Sequence, residues 1–258
     1  MRKPFVLFLF AFCFANVSAR YHCLWDDDKR GRLTLGFHVG AAYSSIGNLT
    51  TMLESNDVRP DYKWEKKPHW SPVADLYLEY MRGRVGVTSK FGYYAQGSKL
   101  IKSSPRLEEE YRFVFHYATF GLYMKLYCYK GFYMGVGGRL SYNLTPQGID
   151  YHSNKYVNYA FYDKQKQEHL RETFEGRTEA APGILIGHEF DFGLQVEALY
   201  HFGANDIIKT HDNKYGYTER RNNTNMIEIK IGYIITIFNY EKEKKSWERY
   251  RNAPRWHR

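Results

Sequence analysis

Hydrophobic and polar residues alternate along eight separate segments of the chain. In the first segment, Leu35, Phe37 and Val39 are separated by Gly36 and His38. Such alternation places successive side chains on opposite faces of a β-strand. The eight predicted strands are Leu33–Tyr43, Val73–Met81, Arg84–Gln96, Tyr111–Tyr127, Phe132–Leu144, Ala180–Phe190, Phe192–Phe202 and Asn225–Phe238.

The links between these strands are alternately short and long. The short ones are "RGR" at 82–84, "YKG" at 129–131 and "EFDFG" at 189–193. The long ones cover about residues 44–72, 97–110, 145–179 and 203–224. Membrane barrels have short periplasmic turns and long extracellular loops, so an even strand number places both termini in the periplasm. We therefore expect an all-β fold, an eight-stranded antiparallel transmembrane β-barrel with long extracellular loops and short periplasmic turns.

One face of the predicted strands is apolar, and the other combines charges with glycines such as Gly36, Gly137 and Gly232. A soluble lipocalin-like barrel would bury the apolar face, whereas a membrane barrel turns it to lipid. Glycines on the polar face favour the membrane barrel, because they suit the crowded interior of a narrow barrel. The charged residues predicted to form a lumen ion-pair network are Asp75, Glu79, Arg84, Lys90, Lys125, Arg139, Glu189, Glu197, Glu228 and Lys230.

Eight strands enclose room for side chains only, which argues against a large aqueous pore. A charge left without its partner inside the lumen is costly, so we expect Glu228→Ala to lower the melting temperature.

Tyrosines near the strand ends predict aromatic girdles at the two membrane interfaces. In "FGYYAQGSKL", Phe91–Leu100, Tyr93 is expected near the outer interface and Gly97–Lys99 at the start of the second extracellular loop. The predicted interface aromatics are Tyr43, Tyr80, Tyr93, Tyr142, Tyr200 and Tyr233.

The chain begins like an exported protein. Two basic residues precede an apolar run at Phe5–Ala15, too short to span a bilayer, and small residues follow up to Ala19. We predict a signal peptide at 1–19, an N-terminal periplasmic segment at 20–32, the barrel at 33–238 and a basic periplasmic tail at 239–258. Removing the signal lowers the net charge from +9 to +7, because Arg2 and Lys3 leave with it.

For an exported basic chain, anionic lipid or polysaccharide suits the charge better than nucleic acid, and outer-membrane lipid is the partner we expect. Cys23 and Cys128 remain after export and can form one disulfide or stay as two thiols.

No combination of residues predicts catalysis, a metal site or a cofactor. The sequence has no G-x-S-x-G or H-E-x-x-H element, and the acid–His neighbours "GHE" and "THD" are isolated. We therefore expect a protein that is not an enzyme. The alternatives are a barrel-borne enzyme that modifies lipid or protein, and a soluble secreted lipocalin-like binding protein.

The tail combines seven Lys or Arg residues with three Glu and two Trp. It is either a disordered extension or a contact for a periplasmic partner or for anionic headgroups. The candidate partner-binding residues are Lys244, Lys245, Trp247, Arg249 and Trp256.

The order of four segments resembles the PorT family of eight-stranded outer-membrane barrels of Gram-negative bacteria. "FGYYAQGSKL" resembles the end of the family's third strand, "HYATFGLYMKLY" its fourth, "FYMGVGGRLSYNL" its fifth and "FGLQVEALYHFGANDI" its seventh. Thr119 and Gly121 depart from the usual fourth-strand pattern. The resemblance implies an outer-membrane location and an antiparallel barrel, but it does not imply one activity. One branch of the family supports a protein-secretion and gliding apparatus, so a periplasmic or secretion-system protein is a candidate partner.

Overall fold

The computed structural model describes residues 31–54, 62–104, 107–129, 131–154, 160–211, 213 and 216–239. The predicted signal peptide, Cys23 and the tail from residue 240 lie outside these ranges. The strands within them are β1 Arg32–Ile46, β2 Lys63–Arg82, β3 Val85–Ser104, β4 Leu107–Tyr129, β5 Phe132–Asn143, β6 Ile149–Ser153, β7 Phe174–Gly176, β8 Glu179–Glu189, β9 Leu194–Phe202, β10 Ile208–Thr210 and β11 Thr224–Asn239. The helices are α1 Leu49–Glu54 and α2 Ala160–Thr173.

Eight of the strands form a closed ring in the order β1, β2, β3, β4, β5, β8, β9, β11, and β11 pairs again with β1. Every pairing in the ring is antiparallel. Phe37 of β1, for example, lies opposite Leu76 of β2 and Tyr233 of β11. Each ring strand therefore has two hydrogen-bonded neighbours, which leaves no open sheet edge within the barrel wall. The predicted fold class is confirmed.

The barrel wall has its apolar face outside. Leu76 and Ile229 are each 61% exposed, whereas Asp75 and Lys230, which follow the opposite parity, are 7% and 3% exposed. Strand alternation fixes this arrangement, because neighbouring residues point to opposite faces. The pattern is the reverse of a lipocalin-like barrel, whose apolar face is inside.

Three ring strands continue well past the wall at the long-loop end. β2 starts at Lys63, β3 runs to Ser104 and β4 starts at Leu107, so that all of Phe91–Leu100 is strand. The expectation that Gly97–Lys99 begin a loop is therefore wrong. Gly97 stays paired with Val114, and a side chain at Gly97 would collide with the Phe113 carbonyl oxygen.

These extensions and the long links form a folded cap, which we define as α1, α2, β6, β7, β10 and the strand residues 63–68, 98–104 and 107–113. The link at 145–179, predicted as a long extracellular loop, contains β6, α2 and β7. These elements form in the link because their apolar side chains are buried in a core inside the cap, and this burial stabilises the folded arrangement. Its fully buried members include Ile46, Leu49, Leu100, Phe113, Phe115, Ile149, Leu170 and Phe174.

Helix α2 packs along the edge of this extended sheet. Asp163 in its first turn accepts hydrogen bonds from the backbone and hydroxyl of Ser153, at 3.0 and 2.6 Å. Arg171 in its last turn donates to the Ile149 carbonyl oxygen at 2.8 Å. Both charges suit the helix dipole, and both satisfy groups of the edge strand β6. No helix in the described part of the chain has the length and apolar character to cross a membrane.

Candidate functional site

The barrel lumen holds a network of buried ion pairs, with Glu197 of β9 near its centre. Lys90 forms an ion pair with Glu197, and the Nζ atoms of Lys125 and Lys230 lie 3.6 and 3.9 Å from its carboxylate oxygens. The Tyr133 hydroxyl donates to the same carboxylate at 3.2 Å. One carboxylate thus faces three cations from three other strands, and the network ties opposite sides of the ring together.

Toward the short-turn end, the network continues through Glu79 and Glu189. Lys125 Nζ lies 2.8 Å from Glu79, and the Tyr127 hydroxyl donates to Glu79 at 2.5 Å. Arg32 donates two hydrogen bonds to the Glu189 carboxylate, at 2.5 and 2.9 Å. Two parallel bonds of this kind are the strongest arrangement for an arginine and a carboxylate.

Toward the cap, Lys230 bridges two carboxylates, at 2.5 Å from Asp75 and 2.9 Å from Glu228. Arg139 pairs with Glu228 and lies 3.6 Å from Glu179. The Tyr94 hydroxyl donates to Glu179 at 2.8 Å. This half of the network therefore connects β2, β3, β5, β8 and β11.

Two histidines complete the lumen. His38 places Nδ1 2.7 Å from Asp75 and Nε2 2.6 Å from the Gln195 side-chain oxygen. His201 Nε2 lies 2.8 Å from the Tyr123 hydroxyl, and its Nδ1 lies 3.4 Å from Glu228. Both rings are buried, so each needs these partners to replace lost water.

Tyrosines fill the space between the charged groups. Lys125 Nζ lies 4.4 Å above the Tyr133 ring, and the Arg139 guanidinium lies 4.0 Å above the Tyr94 ring. The faces of aromatic rings attract cations, and this attraction grows when water is excluded. These contacts account for part of the high tyrosine content of the sequence. A tyrosine both fills space in the narrow lumen and donates its hydroxyl to a carboxylate.

The cavity that the described lumen residues line is small. A cavity of about 20 Å³ lies among Asp75, Lys90, Arg139, His201 and Glu228, enough for about one water molecule. A wider opening of about 370 Å³ lies at the short-turn end, where Arg32, Glu189 and Asp191 contribute to its lining. Among the residues that the structure describes, the lumen side chains thus form a packed polar core with a wider opening at the short-turn end.

The structure brings the predicted lumen residues together, apart from Arg84. Arg84 was expected at the start of a strand and lies instead in the turn between β2 and β3. Arg32 occupies the position beside Glu189, and Glu179 joins the network as a further acid. Both follow the polar parity one residue outside a predicted strand, so extending the alternation by one position would have found them.

The predicted interface aromatics all project outward, with exposed fractions from 37% to 66%. Ala118 lies between Tyr93 and Tyr142 in register, and Ile227 lies between Tyr43 and Tyr200. These four tyrosines lie toward the long-loop end. Tyr80 and Tyr233 lie toward the short-turn end, two residues before the end of β2 and opposite the start of β9.

Sequence reasoning missed other exposed aromatics at both ends. Trp70 is 65% exposed and packs edge-on against Tyr43, with ring centroids 4.8 Å apart. Phe190 and Phe192 lie in the turn before β9 and stack on each other at 5.5 Å. Their flanking of the apolar belt is typical of membrane interfaces.

A second buried ion cluster lies inside the cap. Glu109 of β4 is 3.3 Å from Lys102 of β3 and 3.2 Å from Lys166 of α2, and it also accepts a hydrogen bond from the Tyr151 hydroxyl. Burial alone would raise the pKa of Glu109, but Lys166, Tyr151 and Lys102 together hold it below its ordinary value. The cluster joins helix α2 to the sheet that rises from the barrel.

No arrangement of side chains with evident catalytic geometry emerges in the described ranges. His188, from "GHE", packs edge-on against Phe190 at 4.5 Å, whereas Asp212, from "THD", lies outside those ranges. Among the residues that the structure covers, no group of three or more His, Cys, Asp or Glu is arranged to hold a metal ion.

Comparisons with known proteins give similarity in architecture only. No family model matches the chain, and no curated protein matches it. Neisserial surface protein A is similar over 78% of this chain and 96% of its own, with a TM-score of 0.36 and 8% identity. Ail of Yersinia pestis, solved with the heparin analogue sucrose octasulfate, is similar over 79% and 99%, with a TM-score of 0.36 and 11% identity.

The outer membrane protease OmpT of Escherichia coli is similar over 80% of this chain and 97% of its own, with a TM-score of 0.35 and 9% identity. The assignment to eight-stranded antiparallel β-barrels of the transmembrane type stands on the closed ring of strands and its outward apolar face.

Proposed function

We propose that this protein is a non-enzymatic outer-membrane β-barrel that acts through its cap or its C-terminal tail. One observation carries the proposal: an exposed apolar belt surrounds a lumen filled with buried ion pairs. Leu76 and Ile229 on the outside would be unfavourable in water as part of a continuous belt, and lipid removes that cost. Aromatic residues at both ends of the belt support the same placement.

The filled lumen supports a role that does not depend on transport through the barrel. The cap adds a second obstruction, because its apolar core, with Phe113 and Phe115, stands above the lumen charges. The functional surfaces would then be the cap outside and the segments that follow β11. A PorT-like accessory role in protein secretion is the finer form of this proposal, supported by the sequence resemblance to that family.

Membrane fractionation combined with a heat-modifiability gel tests the location and the barrel together. The protein should sediment with outer membranes, and its unheated band should migrate differently from the boiled band, because a closed barrel resists detergent. Recovery in the soluble fraction would overturn the proposal. Leu76→Arg changes only the lipid-facing side of β2. This variant should reduce the assembled fraction of the protein relative to the wild type.

The proposed partner contact needs a separate experiment. Full-length protein and a version lacking residues 240–258, which leaves β11 intact, would be used to capture periplasmic proteins after cross-linking in cells. A tail-dependent partner supports the Lys244–Trp256 segment as the contact, whereas the same partner with both versions places the contact on the barrel or the cap. Hydrolysis of lipid or protein by purified barrel would contradict the non-enzymatic assignment.

A further inference from the structure

No further inference is drawn: the strongest candidate, the opening of about 370 Å³ at the short-turn end of the lumen, lined in part by Arg32, Glu189 and Asp191, carries nothing because nothing in the structure shows what covers it.

Discussion

Replacing Glu228 by alanine removes one carboxylate from the most heavily charged part of the lumen. Glu228 is 2% exposed and lies 2.9 Å from Lys230, and it also pairs with Arg139. The variant leaves two buried cations with an incomplete set of partners. Breaking a buried pair on one side costs about 3–5 kcal/mol of unfolding free energy. For a chain of this size, that corresponds to a fall of about 6–20 °C in melting temperature.

The assay follows the loss of the folded band on unheated gels across a temperature series, at one fixed heating rate, since barrels often unfold irreversibly. Glu228→Gln keeps the side-chain volume, and so separates the lost charge from a cavity. Glu219→Ala, at an exposed position, is the matched control and should change the melting temperature little. Equal melting of the Glu228 variants and wild type would refute the view that the lumen charges stabilise the barrel.

A double variant sharpens the result. Lys230→Met together with Glu228→Gln removes two charges that face each other, so its melting temperature should be higher than the sum of the two single losses implies. Coupling of this kind is expected for groups that share one network. Strict additivity would show that the two residues act separately, in conflict with their 2.9 Å contact.

Three further substitutions test other parts of the structure. Gly232→Leu should abolish the folded band, because a side chain there would collide with the Phe37 carbonyl oxygen and the His38 ring at the β1–β11 closure. Leu76→Arg should reduce the assembled fraction in a refolding gel, since a cation at the lipid face near the middle of the membrane costs about 2–4 kcal/mol. The control is Glu168→Arg, at an exposed position of α2, which should leave the assembled fraction unchanged. The lowered pKa of Glu109 predicts cap stability that is present above the ordinary carboxyl value of about 4.3 and lost as the pH falls through the lower folded-state value. Limited proteolysis of the cap should therefore accelerate in acid, and Glu109→Gln should remove that dependence.

The barrel wall could be predicted from alternation because each wall strand has one lipid face and one lumen face. Phe37 and His38 illustrate the rule, with 46% and 0% exposure at adjacent positions. The same contrast identifies most of the lumen charges from the order of residues, although it missed Arg32 and Glu179. Arg84 was misplaced because the alternation does not say where a strand ends, and the neighbouring turn glycine, Gly83, adopts a positive φ of 62° that ends β2.

The cap could not be predicted in the same way. On β3, Ser98, Lys99 and Lys102 are polar, so the stretch resembles a loop, although Ser98 and Lys102 are buried. The strand conformation of these residues depends on contacts with segments distant in sequence, such as Glu109 and the link that contains α2. Helix α2 itself has few apolar residues, and among its described side chains the buried apolar Leu170 sets no clear periodicity. Tertiary contacts therefore determine the structure of the cap, and local sequence patterns do not.

The lumen network also constrains how the protein is assembled. Lys230 on β11 forms an ion pair with Asp75 on β2, although β1 lies between these two strands in the ring. Glu197 on β9 forms ion pairs with cations of β3 and β4, on the other side of the ring. An open, flat sheet inserted in lipid would expose all of these charges to hydrocarbon, at a cost that no partial set of pairs offsets. Insertion and ring closure must therefore proceed together, with the sheet already curled around its charged side chains as it enters the bilayer.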